Sequence, residues 1–305
     1  MAQSTATTTA TTTAPAAPAA ASRPPSALRR LFRDRLALAA AVILVLLVAA
    51  AILAPWLAPN DPYLTNTRLR MLPPVWEGRG RWQFLLGTDG LGRCLFSRVL
   101  FGLRATLLMG LIATAIGGAV GLALGLLAAF YRRLDGWLMH LADILLSFPA
   151  ILLGLAFAAV VGPGMTAVVV SLAIATIPTV ARVTRASALV VMGQDFIEAG
   201  RAIGLNDRTL LTRYLALNCI SSVFVYLTLR FGQVILLGSA LSFLGLGAQP
   251  PAAELGTMAS AGRNELFLAP HIAVIPSFVI VLLVLCANVL GDALRDLLDP
   301  RLRNT

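Results

Sequence analysis

The side chains able to do covalent or metal chemistry are few in this 305-residue chain, and they are poorly placed for it. There are two histidines, His140 and His271, and three cysteines, Cys94, Cys219 and Cys286, with no CxxC pair. His140 and Asp143 stand three residues apart, so a helix would put them on one face. They have no third ligand nearby in sequence, and a metal site needs more than two. Ser171, Ser187, Ser221 and Ser242 lack a GxSxG context, so no serine nucleophile is indicated. A phosphate-cradling GxxxxGK[ST] loop is also missing, so the chain is not expected to bind and hydrolyse ATP itself. What the pattern offers instead is charge placed against apolar runs. Asp143 with His140, and Arg230, stand in or beside uncharged stretches where a bare charge is costly, and Ser239 and Ser242 follow on the same segment. These five residues are candidates for a polar pathway or for polar contacts inside a helix bundle.

The elements that must position them follow from composition. Hydrophobic residues make up 58% of the chain and charged ones only 12%, too few to clothe a soluble core. The net charge of +10 is carried by arginine alone and is split among segments at the ends of apolar runs, which argues against a nucleic-acid face. Residues 1–27 are an Ala/Thr/Pro-rich stretch, followed by Arg29, Arg30, Arg33 and Arg35, and are expected to be a disordered cytoplasmic tail. Residues 36–58 are free of charge and long enough to cross the hydrocarbon, and are read as a retained anchor in preference to a signal peptide. A second span is expected over 105–131, where Gly110, Gly117, Gly118, Gly121 and Gly125 make a smooth face for close helix contact. The uncharged run 144–181 is too long for one helix. It is read as a hairpin broken at Gly162-Pro163-Gly164, with its first arm starting near Gly136. A fifth span is expected over about 218–239 and a sixth over about 270–290, with kinks at Pro149, Pro178 and Pro276. The fold class is therefore an all-α polytopic membrane protein of about six helices.

Six spans put both termini on one side. With the termini inside, inside segments hold fifteen arginines and outside segments eight, which favours cytoplasmic termini. The exception is the outside loop 59–104, which carries seven of the eight. The inside loop 182–218 is the informative one. Residues 186–193 extend the preceding helix, 195–203 suit a short helix, Gly204 supplies a stop through positive φ or a close backbone approach, and Asn206 caps a following helix. Such a segment is either an amphipathic linker or a compact knob that docks onto a soluble partner.

The residues Glu198-Ala199-Gly200-Arg201-Ala202-Ile203-Gly204, with Asp207 downstream, resemble the EAA motif of permease subunits of bacterial ABC importers. Leu86-Gly87-Thr88-Asp89-Gly90-Leu91-Gly92-Arg93 is similar to the LGTDxxGRD stretch of the second permease of dipeptide, oligopeptide and nickel importers, with Cys94 in place of the final aspartate. Asp135, the DILLSFP run from Asp143 to Pro149, the run from Leu241 to Pro251, and the terminal Gly291-Asp292 and Asp299-Pro300 match the same group. The sequence departs from it at Tyr214 and Leu217, where relatives carry histidine and proline, and at Ala252-Ala253-Glu254-Leu255-Gly256. The resemblance covers about residues 28–303 and implies a MetI-like type I importer fold. It implies an ATPase-coupling loop using Asp195, Glu198, Ala199, Gly200, Arg201, Gly204, Asp207 and Arg213. Its implied partners are a homologous permease, two cytoplasmic ATPases that use ATP and Mg, and an extracytoplasmic binding protein that delivers a peptide-like substrate. No cofactor is expected on this subunit. The rival reading is a gradient-driven carrier, which would show inverted repeats and ion ligands at broken helices.

Overall fold

The computed structural model describes residues 34–298, so the N-terminal tail, the arginines before Asp34 and the terminal Asp299-Pro300 lie outside the described residues. Five helices are long and apolar enough to cross a membrane, and a bent helix pair makes six if its two arms are counted as one span. They are α1 (Arg35–Ile52), α2 (Leu95–Phe130), the pair α3 (Arg132–Ser147) and α4 (Ala150–Val161), α5 (Met165–Met192), α7 (Asp207–Phe243) and α9 (His271–Leu298). Two short helices stand at opposite ends: α6 (Asp195–Ala202) and α8 (Leu255–Gly262). The end bearing α6 is called the lower end, and that bearing α8 and the segment before α2 the upper end. Among the described residues an isolated bridge, Thr88–Cys94, stands in place of strands. The all-α expectation is met, because in lipid each backbone N–H and C=O must be satisfied within its own helix; the spans number five, or six when the bent pair is counted as one.

The packing centre is a seam between α2 and α5. Hypothetical Cβ atoms on Gly117, Gly121 and Gly125 would overlap Thr176, Val180 and Thr184 together with the carbonyls of Ala173, Ile177 and Ala181. The four-residue repeat on both helices, in the same direction, shows that they run parallel and touch backbone to backbone. On another side of α2, Gly110 and Gly118 receive Ile235 and Leu227 of the antiparallel α7. Gly232 and Gly291 bring α7 equally close to Asn288 and Leu229 across the α7–α9 contact. The glycine spacing thus serves close approach, where dispersion replaces the hydrophobic drive that lipid cannot provide.

Several expected boundaries move. Helix α2 starts at Leu95, ten residues before position 105, so the loop expected to end at Arg104 ends at Cys94. A charge-free criterion misses these nearly three turns because Arg98 is buried and satisfied. Its Nε lies 3.4 Å from the Asp89 carboxylate, and its Nη atoms donate to the carbonyls of Pro62, Pro251 and Ala252 at 3.1–3.4 Å. At 182–218 the helices take most of the loop, leaving only residues 193–206 outside α5 and α7. The capping helix expected after Asn206 is continuous with the fifth span through a wide π turn at Leu210–Leu215.

The largest correction concerns the third span. Helices α3 and α4 meet at 87° across Phe148-Pro149. Pro149 lacks an N–H and forces Phe148 to extended geometry, φ −92° and ψ 126°, so the helix cannot run through. His140 and Asp143 therefore lie on α3 across the lower end, not inside a span, and both are exposed. Pro178 and Pro276, in contrast, sit within unbroken α5 and α9.

The seam yields a direct test. Gly121→Val should cost about 1–3 kcal/mol by overpacking and lower the midpoint of thermal unfolding in detergent. Gly136→Val on α3, where nothing lies within 4 Å, should leave that midpoint unchanged.

Candidate coupling site

Helix α5 ends at Gly193, and Gln194 turns the chain in extended geometry into α6. Two residues of α6, Ile197 and Gly200, face inward, and Gly200 sits against Leu210, whose side chain is also fully buried. The helix closes with a complete Schellman motif: Leu205 N–H donates to the Gly200 carbonyl at 3.1 Å and Gly204 N–H to that of Arg201 at 3.0 Å. Gly204 takes φ +81° there, the left-handed conformation that glycine adopts without penalty. Asn206 then caps α7, its side-chain oxygen accepting from Thr209 N–H at 2.9 Å. Two successive caps fold eight helical residues and a turn into a rigid knob.

Above this knob Leu126, Ala129, Ala188, Leu215 and Cys219 form an apolar cluster that ties it to α2, α5 and α7. Tyr214 stacks on Phe196 with ring centroids 6.5 Å apart, and Arg201 lies 5.9 Å from the Phe130 ring centre. The outward face is Asp195, Glu198, Ala199, Ala202, Ile203, Gly204 and Asp207, with Ile203 77% exposed. This face thus sets an exposed isoleucine among small residues and edges it with the carboxylates of Asp195, Glu198 and Asp207. Arg213, one turn into α7, is also exposed. The Tyr214 departure fills the space beside Phe196, whereas Leu217 is 62% exposed.

Beside the knob, α3 is clamped to the last turns of α5. Arg185 grips Asp135 through two bonds, Nε to Oδ1 at 2.5 Å and Nη2 to Oδ2 at 2.6 Å, and Arg182 pairs with Asp143. The Arg185 guanidinium holds the Asp135 carboxyl below the usual carboxylate range. Asp143 is thus bonded across helices, and the contact with His140 that their spacing allowed is not made. Partners 39 and 50 residues away carry no periodic signal, so sequence alone does not reveal these pairs.

The remaining polar candidates separate. Ser239 and Ser242 are buried where α8 crosses α7, with Gly256 against both, so they belong to helix packing. Arg230 lies on α7 and donates to the Gln233 side chain at 2.7 Å. One important residue was named only as a departure from a motif. Glu254 is fully buried, and its carboxylate accepts from Gly256 N–H and Thr257 N–H at 2.9 Å each and from the Thr106 hydroxyl at 3.1 Å. An acidic residue just before an apolar helical run is a cap signal that could have located it.

With this geometry in place, comparison with known proteins is informative. Residues 121–304 match the model of the family described as binding-protein-dependent transport system inner membrane component. Residues 26–74 match the N-terminal TM domain of oligopeptide transport permease C. The chain is 42% identical to the glutathione transport system permease protein GsiD of Pectobacterium atrosepticum, over 90% of each chain. It is 40% identical to the di/tripeptide transport system permease protein DppC of Pseudomonas aeruginosa, over 83% of this chain and 84% of that one. Among solved structures, an inward-facing form of the MetNI methionine ABC transporter aligns with TM-score 0.54 and 22% identity, over 67% of this chain and 98% of that chain. This last likeness concerns the fold.

The knob's core is open to test by exchange. Gly200→Leu must displace Leu210, whose Cδ2 would lie 2.9 Å from the new Cβ. At about 1–3 kcal/mol of overpacking, the Leu205 amide should exchange with deuterium roughly ten- to a hundredfold faster. Ala199→Leu, on the exposed side, should leave that rate as it is.

Proposed function

Since the chain belongs to the family of binding-protein-dependent transport system inner membrane components and is a noncatalytic permease of an ABC importer, we propose that it forms half of a pathway for peptide-like solutes and is driven through α6. The observation that carries this reading is the capped, outward-facing helix α6, joined without slack to α5 on one side and α7 on the other. The lower end then faces the cytoplasm, with both termini there, and the upper end faces the receptor. A second, homologous permease completes the pathway. Two ATPase subunits, which bind and hydrolyse ATP with Mg, each take one coupling helix in a cleft, while a binding protein loads solute at the upper end. The peptide class rests on the glutathione and di/tripeptide relatives.

The coupling needs only two states. ATP-driven closure of the ATPases displaces α6, and α5 and α7 carry the displacement upward because only short, capped turns join them to it. Glu198, Asp195 and Asp207 orient the docked helix, Ile203 enters the cleft, and Ala199 and Gly204 admit close approach. Arg201 stays against Phe130 and holds the helix to its own bundle.

Gly204→Val tests this chain of events. A β-branched residue at φ +81° costs about 1–2 kcal/mol in the left-handed region, which lowers the docked population roughly 5–30-fold. In proteoliposomes holding the complete importer, ATP-dependent uptake should fall accordingly with all subunits still in the membrane. Gly193→Val, at φ −84°, should transport normally. Uptake driven by an ion gradient in vesicles without any ATPase would refute the permease reading and favour the carrier.

A further inference from the structure

Helix α7 has two exposed sides of opposite character. On one, Phe224, Leu227 and Phe231 join Leu44 of α1 and Leu111 of α2 around an apolar groove of about 390 Å³. That side suits acyl chains. Ser222, Tyr226, Arg230 and Gln233 follow one another at intervals of four, four and three residues, which at about 100° per residue keeps them within an arc of about 80°. This arc is turned away from Phe224 and Phe231. Ser222 and Gln233 are exposed, Tyr226 and Arg230 half-buried. The Ser222 hydroxyl meets that of Ser187 on α5 at 3.2 Å, so the polar wall continues onto the neighbouring helix. Four polar side chains in register along a span are costly against lipid and stable against water or solute.

Arg230 is the only cation in this wall, and its bonding is incomplete. Nη1 donates to the neutral Gln233 carbonyl, and Nε is buried with no partner among the described residues. Arg98, Arg182 and Arg185 also project from spanning helices, and each is met by an aspartate. Arg230 has no such pair among the described residues. It lies thirteen residues before Phe243, about 20 Å below the upper end of α7 at 1.5 Å per residue. A solute crossing the membrane passes this level of α7.

We propose that Arg230 is a specificity-determining residue of the translocation path, receiving the C-terminal carboxylate of a passing peptide while Gln233 holds its guanidinium in place. The inference rests on the reading of the chain as a peptide-importing permease. With Nη1 held by Gln233 and Nε buried, Nη2 remains to meet a carboxylate by a charge-assisted bond. Tyr226 and Ser222, on the lower side of Arg230, offer hydroxyls to the peptide as it leaves. No bond is made or broken, so the step is transient binding, and the neutral Gln233 leaves the cation available for release and reuse.

The complete importer in proteoliposomes is supplied with an equimolar mixture of di- and tripeptides and the same peptides as C-terminal amides. Uptake of each form is read by mass spectrometry, and the carboxylate-to-amide ratio is compared between unaltered protein and variants. The binding protein is the same throughout, so its own preference cancels in that comparison. Arg230→Gln should lower the ratio about tenfold, as expected for loss of one charge-assisted contact, with amide uptake preserved. Arg230→Lys should keep most of the ratio. An unchanged ratio in Arg230→Gln, or an equal fall in both forms, would overturn the proposal and assign Arg230 to structural pairing with the second permease. Absence of ATP-dependent uptake of any peptide by the unaltered importer would overturn the peptide reading itself, and the proposal with it.

Discussion

The contact on which the rest of the structure depends is the parallel seam of Gly117, Gly121 and Gly125 against Thr176, Val180 and Thr184. In lipid two apolar helices gain little by leaving acyl chains for each other, so association needs backbone proximity and many short contacts. Three glycines at one-turn intervals provide that along about 12 Å of helix axis. Because α5 is held over this length, its lower end has a defined position. The knob grows from that end after only Gly193 and Gln194. A displacement of α6 therefore acts on a helix fixed along its length to α2, and is not lost in a loose connection. The Schellman closure at Gly204 and the Asn206 cap do the same on the α7 side.

The two ends of the bundle solve the charge problem in the same way with different residues. At the upper end, Arg98 ties three segments distant in sequence, through Asp89, Pro62, Pro251 and Ala252, while Glu254 caps α8 and holds the Thr106 hydroxyl. At the lower end, Asp135 and Asp143 fasten α3 to α5. A buried charge is tolerable only when paired and bonded, and here each bonded group also sets the position of a helix end. The upper-end segments become one rigid cover, and the lower-end pairs are more open to solvent and so more weakly held.

How far the sequence discloses this architecture depends on the range of the interaction. Local chemistry is legible: Gly204 as a left-handed stop, Asn206 as a cap, and glycine at four-residue spacing as a contact face all appear as read. Helix ends were misplaced where an uncharged run was taken for the whole span, because Arg98 and Arg104 lie inside α2. Part of the compensation of Arg98, beside Asp89 and the Pro62 carbonyl, comes from carbonyls more than 150 residues away, which no window along the chain can register. Pro149 was legible as a bend and not as a break of 87°. The difference lies in Asp143 and Asp135, whose partners on α5 draw α3 across the bundle. Glu254 was visible as a residue and invisible as a buried cap, since its burial follows from α8 folding back beneath the upper loop.

The break at Pro149 also has a mechanical consequence. A straight third span would give α5 one neighbour along its whole length. The bent pair gives it two, with α4 beside its upper part and α3 across its lower part. Arg182 and Arg185 stand ten and seven residues before the end of α5, directly above the knob. Any tilt of α5 that follows α6 must then carry α3 with it or break two ion pairs, one of them bidentate. Since α3 joins α4 at a proline hinge, it can swing while α4 stays packed. The exposed row of Leu134, Trp137, Leu141 and Ile144 on α3 moves with that swing. On the proposed reading of α6, one input has two outputs: a tilt carried along α5 to the glycine seam, and a lateral movement of α3 at the lower end.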